Sequence, residues 1–303
     1  MKRVQYFFEE ITHCEMCGDD TRLHKILGQR LNASQGRNPR KKTGITVTVK
    51  QCTNCHLIYS SPQPVPHDIQ DHYGILPEEY WHAGYFIFDP EHFTREIEIA
   101  KRILNFKNGM KALDIGAGIG NSMIALEKAG FDVMGCEPSA PFYERAISKM
   151  GIDPARIKLG MIEQMEFEQN RFDFITFRAV FEHLYHPADS LQKALKWLKP
   201  TGVIHIEVPS SNYLAARLVN RLYRLMGTNY VTNLSPMHEP FHLYEFSKKS
   251  FEELGKKIHF KIDYVQYHVC ENVYFPRIIN GLLNQYMKKT NTGMQLEVWL
   301  RKE

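Results

Sequence analysis

From Gly109 onward the chain alternates short apolar runs with helix-like segments, and few folds accept that alternation. The candidate strands are KALDI (111–115), DVMGCE (132–137), RIKL (156–159), FDFITF (172–177), GVIHIEVP (202–209), HFKIDYVQYHV (259–269) and QLEVWLRK (295–302). Between them lie NSMIALEKAG, SAPFYERAISKM and PADSLQKALKWLKP, each read as a helix. Apolar strands separated by helices bury both faces of a parallel sheet. The expected fold class is therefore α/β, a doubly wound, seven-stranded, mostly parallel sheet. The last two strands lie near the C-terminus and would allow an antiparallel edge.

The stretch LDIGAGIGNS puts Asp114, Gly116, Gly118 and Gly120 between the first strand and its helix. Glycines there permit a tight turn and a close approach of backbone to ligand. A dinucleotide loop of the form G-x-G-x-x-G/A would need Gly or Ala at 121, where Asn121 stands. Asp114 would repel a pyrophosphate but suits a ligand carrying an ammonium and a sulfonium. Glu137 closes the second strand, 17 residues after Gly120. A carboxylate at that place can accept both hydroxyl protons of an adenosine ribose. Pro138 and Ser139 then break the strand and open the next helix. The plain alternatives are a tight turn with a surface glutamate, or a nicotinamide or nucleotide site.

Residues 111–186 resemble the class I S-adenosylmethionine (SAM) dependent methyltransferases. The matching pieces are LDIGAGIG, the acidic strand end in GCEPS, and FDFITFRAVFEHLYHP. The resemblance implies a Rossmann-like sheet with SAM at the carboxyl ends of the strands, where the strand order switches. By that likeness Asp114, Gly116, Ala117, Gly118 and Gly120 hold the methionine part. Glu137, with Pro138 beside it, holds the ribose. Met161 and Ile162 border the adenine, and Arg178 and Ala179 lie near the methionine end.

Cys14-x-x-Cys17 and Cys52-x-x-Cys55 are separated by 34 residues. Each pair can present two thiolates to one tetrahedral Zn²⁺, and four cysteines leave no open position for water. The site should be structural, with an iron–sulfur cluster or a redox dithiol as alternatives. It would stabilise a segment with little core of its own. His13 and His56 flank the ligands and are expected at the surface or behind them. Cys136 and Cys270 are expected buried. The two cysteine pairs, HLIYSSPQP and the aromatic YGILPEEYW are similar to a bacterial subgroup that includes sugar C-methyltransferases. That subgroup usually carries an extra C-terminal domain, which is not expected here. The resulting organisation is a zinc-binding module over 1–66, a helical connector over 67–108 covering the cofactor site, and a catalytic domain over 109–303. Within the connector a helix is read from Glu91 to about Phe106. Tyr73, Tyr80 and Trp81 there are either connector core or an aromatic cover for a sulfonium.

Methyl transfer often needs a base for the acceptor's proton, and histidine is the commonest. EPFHLYEFS resembles the subgroup's stretch beside the acceptor pocket, which makes His242 the first choice. His183, next to Glu182 after the fourth strand, is the second, and Glu239 stands beside them. His183 could instead be a helix-cap or cofactor-loop residue. An insertion over 211–236 spaces Leu214, Leu218, Leu222 and Leu225 for one helical face, read as packing rather than as a lid or dimer face.

A net charge of +4 is too mild to imply a nucleic-acid partner. No run reaches the ~20 apolar residues of a membrane span. The N-terminus lacks the apolar core of a signal peptide, so a cytoplasmic location is expected. The expected partner is a small polar acceptor, a sugar or glycan precursor, with the oligomeric state unread. An RNA methyltransferase is the second reading, with Arg30, Arg37, Arg40, Lys41 and Lys42 gripping phosphates. The third is a non-catalytic scaffold of the same fold.

Overall fold

The computed structural model describes residues 5–31, 45–74, 76, 87–235, 240–270 and 275–303. The glycine-loop strand β6 (Lys111–Ile115) lies centrally in a seven-stranded sheet. On one side follow β7 (Asp132–Glu137) and β8 (Ile157–Leu159). On the other lie β9 (Phe172–Arg178), β10 (Leu198–Pro209), β13 (Gln295–Lys302) and β12 (Phe260–His268). Strands β6 to β10 pair in parallel, while β13 runs antiparallel to both β10 and β12. The expected sheet and its antiparallel edge are both present. The chain steps outward from β6 to β8 and then crosses back to β9. This makes a switch point between β6 and β9, where open α/β sheets form a crevice.

Burial explains the pairing. Strand β9 is buried along its first six residues, as a sheet covered on both faces requires. Helices α2 (Thr94–Leu104), α3 (Asn121–Lys128), α4 (Ala140–Ser148) and α5 (Pro187–Trp197) follow the expected segments. The expected helix from Glu91 is shorter, because Phe93 stands at positive φ as its N-cap and Asn105 at positive φ as its C-cap. Strand β10 begins at Leu198, four residues before the sequence reading, and pairs with β9 from there.

Helix α6 (Leu214–Leu225) occupies the insertion, but its packing face differs from the leucine stripe. Ala215, Ala216 and Val219 are buried, while Leu222 and Leu225 are exposed. Ala215 and Ala216 cluster with Met287 of α8 (Arg277–Thr290), with Leu214 partly buried beside them.

The N-terminal segment is not a free-standing module. Strand β1 (Tyr6–Glu9) pairs with β5 (Gln63–Pro66), inside the proline-rich stretch read as a module edge. Strands β2 (Lys25–Leu31), β3 (Thr46–Gln51) and β4 (Ile58–Ser61) form a sheet whose fourth strand is β11 (Tyr244–Glu245), from the catalytic domain. The short helix α1 (Gln70–Tyr73) then leads toward the crevice, and α7 (Lys248–Ile258) follows β11. Among the described residues no helix is long and apolar enough to cross a membrane.

Candidate active site

The loop after β6 is bent by three glycines at positive φ: Gly116 at 72°, Gly118 at 57° and Gly120 at 88°. Backbone N–H groups of Gly116 and Ala117 donate to the Cys136 carbonyl at 2.8 and 3.0 Å, folding the loop over the end of β7. A Cβ on Gly116 would lie 2.3 Å from a Val180 methyl, so no side chain fits there. Beneath this loop opens a cavity of about 670 Å³. Asp114, Gly116, Ala117, Gly118, Glu137, Pro138, Met161, Ile162, Arg178, Ala179 and Tyr73 all line it, as do His183 and His242. Gly120 does not: it caps α3, and a Cβ there would meet Ile152, so its role is in the turn rather than the wall. Tyr80, Trp81, His238 and Glu239 lie outside the described residues.

Two carboxylates at this cavity are nearly dry. Asp114 is 3% exposed and Glu137 5%. Burial pushes each up to about 7; Arg178 pulls Asp114 down and Glu137 pushes it up. Each Glu137 oxygen accepts one backbone N–H, from Gly118 at 2.7 Å and from Ser139 at 2.8 Å. These bonds fix the carboxylate plane and leave each oxygen a lone pair for a ligand donor. A positively charged ligand with vicinal hydroxyls matches this donor set.

At the end of β9, the Arg178 Nε donates to Glu207 at 3.3 Å, and its guanidinium meets His92 Nε2 at 3.3 Å. His92 also contacts the Ser122 hydroxyl at 3.2 Å. Burial, then Arg178, lowers His92 to about 4. The neutral ring thus joins Arg178 to the glycine-loop helix. Sequence reading missed His92 and Glu207, which reach the site from the connector and from β10. The only signal was that each stands near an element end.

The opposite end of the cavity gathers Glu182, His183 and His242. Their donor atoms all lie within 4.8 Å of one another, a spacing that could hold one cation between them. The His183 and His242 rings meet edge to face at 4.7 Å. His183 Nδ1 is 2.9 Å from the Phe241 carbonyl, which fixes Nδ1 as the protonated nitrogen. Glu182 is 2% exposed, and its Oε1 lies 3.9 Å from His242 Nε2. Burial raises the Glu182 carboxyl to about 8. Its Oε2 has no hydrogen-bond partner among the described residues.

Residues 91–265 match the model of a family described as a methyltransferase domain. The chain belongs to this family. The methyltransferase domain resembles phosphoethanolamine N-methyltransferase 2 of Caenorhabditis elegans, 27% identical over 137 residues, 44% of this chain and 31% of that protein. It also resembles the ubiquinone biosynthesis O-methyltransferase of Rhodopseudomonas palustris, 26% identical over 146 residues, 47% of this chain and 54% of the relative. The matches thus span 31% and 54% of the length of these relatives. The structure of Haemonchus contortus phosphoethanolamine N-methyltransferase 2 with S-adenosyl-L-methionine shares the fold. Its TM-score is 0.50 at 20% identity, over 81% of this chain and 63% of that one.

The N-terminal segment, outside the matched methyltransferase domain, carries the four-cysteine cluster. Cys14, Cys17, Cys52 and Cys55 converge, with Sγ–Sγ distances of 3.4 Å (Cys14–Cys55) and 3.5 Å (Cys17–Cys52). A disulfide needs about 2.05 Å, whereas four sulfurs about 2.3 Å from one tetrahedral zinc lie roughly 3.8 Å apart. Each pair closes a matching turn: Gly18 and His56, the residues after the second cysteines, both have positive φ. Sulfur contacts to neighbouring cysteines push the Cys14 and Cys55 thiols up, a cost that a central dication removes. His13 and His56 are exposed. Cys136 is buried, but Cys270 is only partly so, with Sγ 3.6 Å from the Gln295 side chain.

Proposed function

We propose that the chain is a SAM-dependent methyltransferase acting on a small polar acceptor, with a structural zinc in the four-cysteine site. The observation that carries this is the pair of buried carboxylates, Asp114 and Glu137, at the switch point of a methyltransferase-family sheet. When bound, SAM supplies an electrophilic methyl on a sulfonium; the C–S bond breaks as the acceptor bonds the methyl, and the electron pair stays on sulfur. Asp114 balances the donor's positive charge, and Glu137 receives the ribose hydroxyls. Met161 and Ile162 form the apolar wall for the adenine. Arg178 and Ala179 border the methionine end, with Tyr73 on the connector side.

His242 takes the acceptor's proton, with His183 held beside it in one tautomer by the Phe241 carbonyl. Glu182 Oε1 lies 3.9 Å from His242 Nε2, and burial keeps this carboxyl largely neutral beside the ring near pH 7. The motifs EPFHLYEFS and HLIYSSPQP support a sugar or glycan precursor as acceptor, methylated at oxygen or carbon. The RNA reading loses one of its charges: Arg30 is buried on β2 and cannot reach a phosphate. The other four lie outside the described residues. Isothermal titration with SAM tests the proposal: one site per chain supports it. A correctly folded, zinc-loaded protein that takes up no SAM refutes it.

A further inference from the structure

The segment from Phe241 to Ser247 lies in the catalytic domain by sequence, and its hydrogen bonds tie it both to the cysteine module and to the end of β10, where Phe246 N donates to the Pro209 carbonyl at 2.9 Å and Ser211 N to the Phe246 carbonyl at 2.8 Å. Its strand, β11, pairs with β4, Tyr244 opposite Tyr59 and Glu245 opposite Ile58. Ser60 N donates to the Leu243 carbonyl at 3.1 Å, and Leu243 N donates to the Glu182 carbonyl at 2.9 Å. The Tyr244 hydroxyl donates to the Tyr185 carbonyl at 3.0 Å. At the far end, the Ser247 hydroxyl donates to the Cys55 carbonyl at 2.6 Å. That hydroxyl also accepts from Ser250 N at 2.9 Å, capping α7. The side chains share one core: Cys14, Cys52, Cys55, Leu57 and Tyr59 cluster with Phe241, Leu243, Tyr244 and Phe246.

A strand of two residues cannot fix its own geometry; its neighbours do so. Here the neighbours are β4, which leaves the second cysteine turn directly, the 181–185 turn that carries Glu182 and His183, and the end of β10, which holds Phe246. We propose that the closed cysteine knuckle is a positioning element of the acceptor half of the active site, acting on His242 through Ser247 and the β4–β11 pairing. Ser247 is thus a positioning residue that does not itself line the cavity. The cofactor half stands apart from this linkage, because Asp114 and Glu137 sit on β6 and β7 of the central sheet. The proposal rests on His242 facing the acceptor, as read above. It assigns to the zinc module a role in acceptor chemistry in addition to stability.

The test uses the full, zinc-loaded chain and the pair Ser247→Asp and Ser247→Thr. Aspartate still caps α7 but sets an acceptor against the Cys55 carbonyl; threonine keeps the donor. In Ser247→Asp, amide exchange over 241–247 should quicken about tenfold, the scale of one lost hydrogen bond. The His242 ring resonances should shift in protein saturated with S-adenosylhomocysteine. Exchange over 114–120, zinc content and SAM affinity should hold within about twofold, and Ser247→Thr should restore the wild-type exchange and ring signals. Unchanged exchange and ring signals in Ser247→Asp overturn the proposal. So does an equal loss of protection over 114–120. If Ser247→Asp does not fold, the wild-type chain is compared before and after chelation of its zinc. Selective loss of protection over 241–247 supports the proposal; loss everywhere or nowhere overturns it. Failure of the untreated wild-type protein to bind SAM rejects the functional reading instead, so the two failures are distinguishable.

Discussion

Replacing Asp114 by Asn should weaken SAM binding and stabilise the ligand-free fold, and both effects follow from one buried charge. Two unit charges about 4 Å apart interact by ~4 kcal/mol at an effective dielectric constant of 20. Desolvation removes part of that, and hydrogen bonds to charged groups are worth about 1.5–3 kcal/mol net. Asp114→Asn should therefore raise the SAM dissociation constant roughly 10- to 150-fold. Stability moves the other way. Burial holds the Asp114 carboxyl at about 7, against about 3.9 for an unfolded aspartate. Folding thus favours the protonated form. The stability this gives is fully present below pH ~4 and disappears as pH rises through about 7. Some three pKa units correspond to about 4 kcal/mol lost by the wild type between those limits. Asparagine does not titrate, so the variant escapes that loss. Thermal unfolding from pH 4 to 8, without ligand, should show the variant gaining on the wild type as pH rises, then holding level. Equal SAM affinity in the two proteins, or a stability gap that does not change with pH, would refute the reasoning.

Three further outcomes follow from the same geometry. His242→Gln should lower kcat by about 10²–10⁴, as loss of a general base does, while SAM titration stays near wild type; a parallel fall in SAM affinity would remove His242 from the acceptor side. Gly116→Val should abolish SAM binding, because a Cβ there collides with Val180 and φ is 72°; calorimetry checks the binding and elemental analysis should still find the zinc. Cys52→Ser should lower zinc content below one per chain and cost several kcal/mol of stability in chemical denaturation, whereas Cys270→Ser should change neither.

The glycine-loop wall of the cavity was legible because its residues are local to one supersecondary pattern. A strand that ends in Asp114, a loop that must turn sharply at Gly116 and Gly118, and a second strand that ends in Glu137 place themselves once the sheet is parallel. The cysteine pairs were legible for a similar reason, since each C-x-x-C makes its own turn. Three features escaped. The leucine stripe of α6 satisfied helical spacing, yet Ala215, Ala216 and Val219 are the buried residues, with Leu214 partly buried beside them and Leu222 and Leu225 exposed. Gly120 looked like cofactor wall but serves the turn before α3. The boundary after residue 66 looked like a module edge, but β4 pairs across it with β11.

By itself the sequence determined the α/β class, the glycine turn, the two carboxylates and the two cysteine pairs. Each depends on periodicity or on residues a few positions apart, and such short-range rules hold before the chain collapses. Tertiary structure alone decided that Glu182, His183 and His242 meet, that His92 and Glu207 flank Arg178, and that Ser247 joins the Cys55 turn. Those contacts unite residues 29 to 192 positions apart. No local pattern encodes them, because they exist only where the sheet register and the packing of the cysteine module against β11 bring distant backbones together.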